Sequence, residues 1–430
     1  MSLLRSTLLV PALAAALLPA AAHAAPRPAT PSFHDAPPVL ETPTLFDDAA
    51  GGDANADDPA IWVHPTRREA SLVIGTAKNA GLRVYDLHGR QLQAIAAPAA
   101  PGPDTEPGRY NNVDLVTGFK LGGRRVDLAV VTDRGRDRLR VYRIDPDAAA
   151  RGAAPLVDVT ATDAPRIFSA DEAEVDQQNT AYGLATFADG DDAYAVVSRR
   201  HRTTVSLLEL VARDGRVSYE REDSLRLPST FRLPNGANWT PCAEPGEQPQ
   251  VEGMVIDAAA GVLYAAQEDV GLWRVPLDVD EFDGAPSLVQ RVREYGVPAT
   301  YDPDTEECTP HPDQDPGFGG RIAADVEGLT IYPTGRRSGY LLASGQGDST
   351  FHVFDRVDTR PLGTFHVTDG PGADGAQHSD GAAVVSTPLP GYPHGLLVVH
   401  DGADTPDLGR TGTDFKYVDW RSLTGSPHRR

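Results

Sequence analysis

At 430 residues the chain is long for one ordinary domain and sized for several domains or one array of repeats. An apolar share of 40% fits a globular protein, and 41 Gly with 37 Pro suit many short strands and turns. The 61 acidic against 39 basic side chains give a formal charge of -22, which argues against nucleic acid as a partner and would repel an anionic substrate unless bound metal reverses the local field.

The N-terminus reads as a secretory signal over residues 1–24. Arg5 supplies the charged start, Leu8 to Leu18 the apolar run, and Ala22-His23-Ala24 the cleavage site. The run is short and broken by Pro11, which disfavours a membrane anchor, and no later segment is apolar enough to span a bilayer. Export, to the periplasm or the medium, is the expectation. Residues 25–45 form a Pro-rich extended leader, and 46–424 one folded array.

From there the chain reads as strands separated by turn residues. The first unit holds a strand after Asp58, then Leu72 to Gly75, Gly81 to Tyr85 and Gln91 to Ile95. Units two and three start at Val113 and Tyr182, four and five at Val251 and Val326, and the last at Asp380. No comparable stretch shows a helical period. Six such units describe an all-β chain, a six-bladed β-propeller of four-stranded antiparallel blades. A sandwich pair does not explain six copies of one phrase, and β-helix repeats are shorter. A strand near Thr44 is expected to complete the last blade and close the ring.

The shared phrase is an acid, usually followed by Gly, that opens an apolar strand. It occurs at Asp58, Asp114, Glu252, Glu327 and Asp380, with Tyr182 in place of the acid in a sixth copy. The first strand of each blade lines the channel, so these groups are expected to ring one mouth. Carboxylates that close resist joint ionisation unless a cation neutralises them. All the ligand atoms are oxygens, which fits calcium better than zinc or copper. Basic residues follow where second strands end: Lys78, Arg134 and the pair Arg199-Arg200, with Glu268 in the fourth unit. Cations beside a metal cluster suit phosphate. An exported chain permits a disulfide between its two cysteines, Cys242 and Cys308. The chain has no G-x-S-x-G or H-E-x-x-H motif, and Arg202 breaks the R-H-G pattern begun by Arg200-His201. No covalent nucleophile is therefore expected.

The segments DDPAIWVHP, KNAGLRVYDLHG, NNVDL, VEGMVID, DVEGLTIYPTGRRSGYLLASGQGDS and TDGPGADGAQHSDG together resemble the β-propeller (alkaline, calcium-dependent) phytases, from about residue 45 to about 422. The resemblance implies a phosphatase of the 3-phytase type. It would act on phytate or other inositol polyphosphates by metal-activated water with several Ca2+ ions; separately, the chain is expected to be a monomer. It implies calcium ligands at Asp58, Tyr182, Glu252, Glu268, Asp325, Glu327 and Asp380, and phosphate-binding cations at Lys78, Arg134 and Arg200. Asp374 and Asp401, with Asp404, resemble a structural calcium site. Two departures fall on the subsite for a second phosphate: Asn79 stands where the family has a second Lys, and Arg199-Arg200 where it often has Gly-Lys. The sequence is also compatible with two other readings. One is a different calcium-dependent propeller hydrolase, a lactonase or phosphotriesterase; the other is a non-enzymatic binding propeller of the cell envelope.

Overall fold

The computed structural model describes residues 32–404 and 409–424, so the signal segment lies outside the described residues. Six antiparallel sheets stand around a channel. The first blade is Pro59–Trp62, Leu72–Thr76, Leu82–Asp86 and Gln91–Ile95. Blades two to five follow with inner strands Tyr110–Leu121, Ala181–Asp189, Val251–Asp257 and Val326–Pro333. The sixth combines Ala382–Val385, Leu396–Asp401 and Gly412–Asp419 with N-terminal strands. Each inner strand packs beside the next, and that of the sixth blade packs beside that of the first, so the ring is closed.

Closure uses the segment that the sequence suggests as a leader. Leu40–Glu41 and Leu45–Phe46, on either side of Thr44, pair with Gly412–Asp419 as the outer edge of the sixth blade. Further out, Ala36 is buried against the fifth and sixth blades. Joining both chain ends in one sheet means the ring cannot open without breaking these pairs.

The core is divided into slabs between neighbouring blades. Middle strands such as Leu72–Thr76, Val262–Gln267 and Leu396–Asp401 are buried along their whole length, because both sheet faces meet other blades. This is why they read as continuous apolar runs rather than alternating ones. Trp62, Ile74 and Val84 pack with Tyr110 and Val131 between blades one and two, and Tyr264 and Leu272 lie on the face of blade four that meets blade five, where the Tyr264 hydroxyl donates to the Arg356 carbonyl at 3.0 Å.

Two inserts interrupt the pattern, one before the fourth blade and one before the fifth. Each carries a small hairpin: Phe231–Arg232 with Asn238–Trp239, and Ala299–Asp302 with Glu307–Pro310. The disulfide Cys242–Cys308 joins them, with Cα atoms 6.0 Å apart. Trp239 adds a bond from Nε1 to the Val297 carbonyl at 3.0 Å. Both inserts lead directly into inner strands at the end where the acids lie. Among the described residues no helix is long and apolar enough to cross a membrane.

Candidate active site

The acid-glycine phrase has a steric cause. A Cβ at Gly183 would overlap the Glu252 carbonyl, and one at Gly253 the Glu327 carbonyl. Gly328 stands likewise against Asp380 and Ala382, and Gly381 against Asp57 and Asp58. Inner strands converge most tightly here, so the residue after each mouth residue must lack a side chain.

A buried hydroxyl at the end of the second strand fixes the register. Asp58 N donates to Thr76 Oγ1 at 3.0 Å, Asn112 N to Thr132 Oγ1 at 3.0 Å, and Gly183 N to Ser198 Oγ at 2.8 Å. Asp58 and Asn112 therefore occupy the glycine slot of their blades. The mouth position falls one residue earlier, and the ring is Asp57, Asn111, Tyr182, Glu252, Glu327 and Asp380, all lining one cavity. Asp58 and Asp114 instead line the channel itself, beside Asn112, Leu184 and Met254. The Asp58 carboxylate accepts from Val113 N at 3.0 Å, and Asp114 accepts from Leu115 N at 2.7 Å and Thr186 N at 2.6 Å.

A second tier stands at the ends of the second strands: Lys78, Arg134, Arg200, Glu268 and Gln346. The cations come from blades one to three, and the carboxylate and amide from blades four and five. Lys78 Nζ lies 3.4 Å from Asp380 Oδ2 and bends its backbone to a φ of 43° to reach the cavity. Arg134 donates from Nη1 to Asn111 Oδ1 at 3.2 Å and lies over the Tyr182 ring, 5.6 Å from its centre. Asn111 Nδ2 donates onward to Glu252 Oε1 at 2.7 Å, joining the two tiers. Gln346 donates to Asp380. Arg199 turns away: its Nε donates to the Asn179 carbonyl at 2.7 Å and its guanidinium covers Phe168.

The electrostatics are lopsided. Burial, then repulsion from neighbouring carboxylates, drives Glu268 (Asp325 first, then Glu252) and Glu327 (Glu252 first, then Glu268) well above the usual range. Glu252 is raised too, by burial and then Asp380, and Asp57 by burial against the pull of Lys78. Burial also acts on Asp380, but His400, Lys78 and Gln346 outweigh it and hold that carboxyl low. The Tyr182 phenol is pushed up by burial and then by Glu252, Glu268 and Glu327. Burial and then Arg200 lower Arg134 to about 10. Asp325 lines the cavity, and burial raises its carboxyl and that of Asp269, the latter also through repulsion by Asp325.

One oxygen each from Glu252, Glu268 and Glu327 lies within 4.8 Å of the others. Glu268 Oε1, Glu327 Oε2 and Asp57 Oδ2 are buried without a hydrogen-bond partner. An all-oxygen set with unused carboxylate atoms fits a hard divalent cation.

A second acidic group lies in the sixth blade. Lys416, fully buried, makes ion pairs with Glu41, Asp374, Asp401, Asp404 and Asp414. Asp374 and Asp401 are thus brought together, around an ammonium the sequence reading did not single out. Asp414 and Lys416 are two apart on one strand and share a face, which was the available signal.

A family model described as Phytase matches residues 6–175 and 301–426. The 3-phytase of Bacillus subtilis (strain 168) is 32% identical over 386 residues, covering 88% of this chain and 83% of that protein. Among solved structures, the GH93 α-L-arabinofuranosidase of Fusarium graminearum with arabinobiose is 10% identical at a TM-score of 0.49, over 89% of this chain and 99% of that one. A β-propeller domain of Cps50 (Swd1) from Myceliophteria thermophila is 11% identical at a TM-score of 0.37, over 83% and 82%.

Proposed function

The chain belongs to the phytase family and is a phytase-type phosphatase, and from that premise we propose that it removes phosphate from phytate in a calcium-dependent reaction at the mouth of the propeller. The observation that carries this reading is the convergence of the Glu252, Glu268 and Glu327 oxygens beside an arc of cations. Glu252, Glu268, Glu327, Asp57 and Asp380, with Asp325 and the Tyr182 hydroxyl, would hold calcium in the mouth. When bound, calcium supplies Lewis-acid polarisation and offsets the repulsion between a polyanionic substrate and an acidic protein.

The rest of the work belongs to the chain's own side chains. Lys78, Arg134 and Arg200 face the substrate phosphate and stabilise charge that grows on its equatorial oxygens. They come from three consecutive blades, so they fix the phosphate from one side and leave the opposite side to an attacking water. Glu327 Oε2, free of a protein partner, is the oxygen placed to orient that water and accept its proton, while Glu268 Oε1 is left for the metal. Water attacks phosphorus directly as the bond from phosphorus to the inositol oxygen breaks, the proton taken from the water is returned to that leaving oxygen to give the hydroxyl, and no phosphoenzyme forms. Arg199, stacked on Phe168, takes no part.

Asp374 and Asp401, with Asp404, would hold a structural calcium beside Lys416. The Cys242–Cys308 bridge fits an exported chain. A lactonase or phosphotriesterase acts on substrates of lower charge, and three cations around the mouth favour polyphosphate. Phosphate release from phytate, measured with calcium and in chelator, tests the reading. Release is expected only with calcium, and full activity in chelator would refute the scheme.

A further inference from the structure

Between the cationic and acidic halves of the mouth stands Gln250, two residues before Glu252 at the end of the first insert. Both ends of its amide are committed. Oε1 accepts from the backbone N–H of His201, next to Arg200, at 2.8 Å, and Nε2 donates to Glu268 Oε2 at 3.0 Å. An N–H needs an acceptor and a carboxylate needs a donor, so the two partners fix the amide's orientation. The backbone repeats the link, with Glu268 N donating to the Gln250 carbonyl at 3.2 Å. Glu268 Oε1 is left buried without a protein partner.

The segment that delivers Gln250 is itself held in place. Gln248 N donates to the His201 carbonyl at 3.1 Å, and Arg202 Nη1 to the Gly246 carbonyl at 3.1 Å. Glu247 pairs with the His201 ring, and Cys242 is tied to the second insert. Such a strap offers more restraint than one glutamine needs to avoid solvent. It keeps the turn bearing Arg200 and the carboxylate of Glu268 at one separation.

We propose that Gln250 is a positioning residue for the reaction: it holds one oxygen of Glu268 so that the other faces the mouth, and it locks that carboxylate to the turn carrying Arg200. A partner that orients a metal-holding carboxylate typically changes metal affinity when it is lost, by about tenfold to a hundredfold. The inference rests on the calcium-dependent reading of the mouth.

Its test is a calorimetric titration of the full chain with calcium alone, on Gln250→Met, which keeps the length of the side chain but cannot donate. Calcium binding is expected to weaken about tenfold or more, while the melting temperature in chelator stays within a few degrees of the unaltered protein. Gln250→Asn, too short to span both partners, should shift affinity in the same direction and serves if the Met variant does not fold. In a Glu268→Gln background the Met substitution should add little, because Gln250 acts through Glu268. Unchanged calcium affinity in Gln250→Met, or additive losses in that cycle, would overturn the inference while the unaltered protein still binds calcium and hydrolyses phytate. An unaltered protein that does neither would overturn the reading of the mouth itself, and this inference with it.

Discussion

The mouth and the nest around Lys416 are both crowded with buried carboxylates, yet they settle their charge differently. In the nest the cation is central and covalently part of the chain: Lys416 is fully buried and pairs with five carboxylates. In the mouth the cations stand to one side, and Glu252, Glu268 and Glu327 converge without an ammonium or guanidinium among them. A centred, enclosed cation locks strands together, and here it joins Glu41 of the N-terminal strand to the last blade. An off-centre arc leaves a deficit of positive charge at a place open to ligands. The same side-chain chemistry thus serves closure of the ring in one case and, on the function proposed for the mouth, substrate handling in the other.

The largest expected effect comes from altering the mouth. Glu252→Gln or Glu327→Gln should cut phytate turnover by about a thousandfold, the scale of losing a group that stabilises the transition state. Stability in chelator should be unchanged or raised, since each substitution removes a buried carboxylate that repels its neighbours. Denaturation midpoints in chelator, read beside initial rates, check both halves of that statement. Retained activity in both variants would sink the assignment of the cluster.

The nest should answer in the opposite sense. Lys416→Met keeps the aliphatic stem but strands five carboxylates, and losing one partner of a buried ionic group costs about 3–5 kcal/mol. That loss should appear as a lower urea midpoint, with the activity of the molecules that remain folded close to normal. A variant equally stable but inactive would mean that the two regions have been assigned the wrong way round.

Much of this was legible in the sequence. The repeated phrase exposed the blades, and its Gly exposed the crowding of inner strands. What the sequence obscured was register in the first two blades. Asp57 and Asp58 are adjacent, and only the bond from Asp58 N to Thr76, on another strand, shows that Asp57 is the mouth residue. In the second blade the mouth residue is Asn111, an amide, and the nearest acid in that strand, Asp114, lies in the channel. Arg199 and Arg200 are likewise equivalent on paper. The Phe168 ring, distant in sequence, draws Arg199 away, while Arg200 sits on the turn next to His201, whose N–H is held by Gln250. Gln250 and Lys416 carried no repeat signal at all, because each acts through partners that tertiary folding alone supplies.

The smallest expected effect is also the one that divides calcium's contribution between the two regions. A ligand that binds the folded state at a hundred times its Kd stabilises it by about 2.7 kcal/mol, so chelation should lower the melting temperature of the unaltered protein. In the Glu252→Gln, Glu327→Gln double variant the mouth's share of that shift should vanish. Any remainder belongs to the nest, where one ammonium faces five carboxylates and burial holds Asp414 well above the usual carboxyl range despite Lys416. Even with Asp414 kept from ionising, one ammonium faces more than one carboxylate, so a remainder of a few degrees is expected. Its absence would mean that Lys416 and protonated carboxyls neutralise the nest unaided, and that calcium acts on this protein only through the mouth.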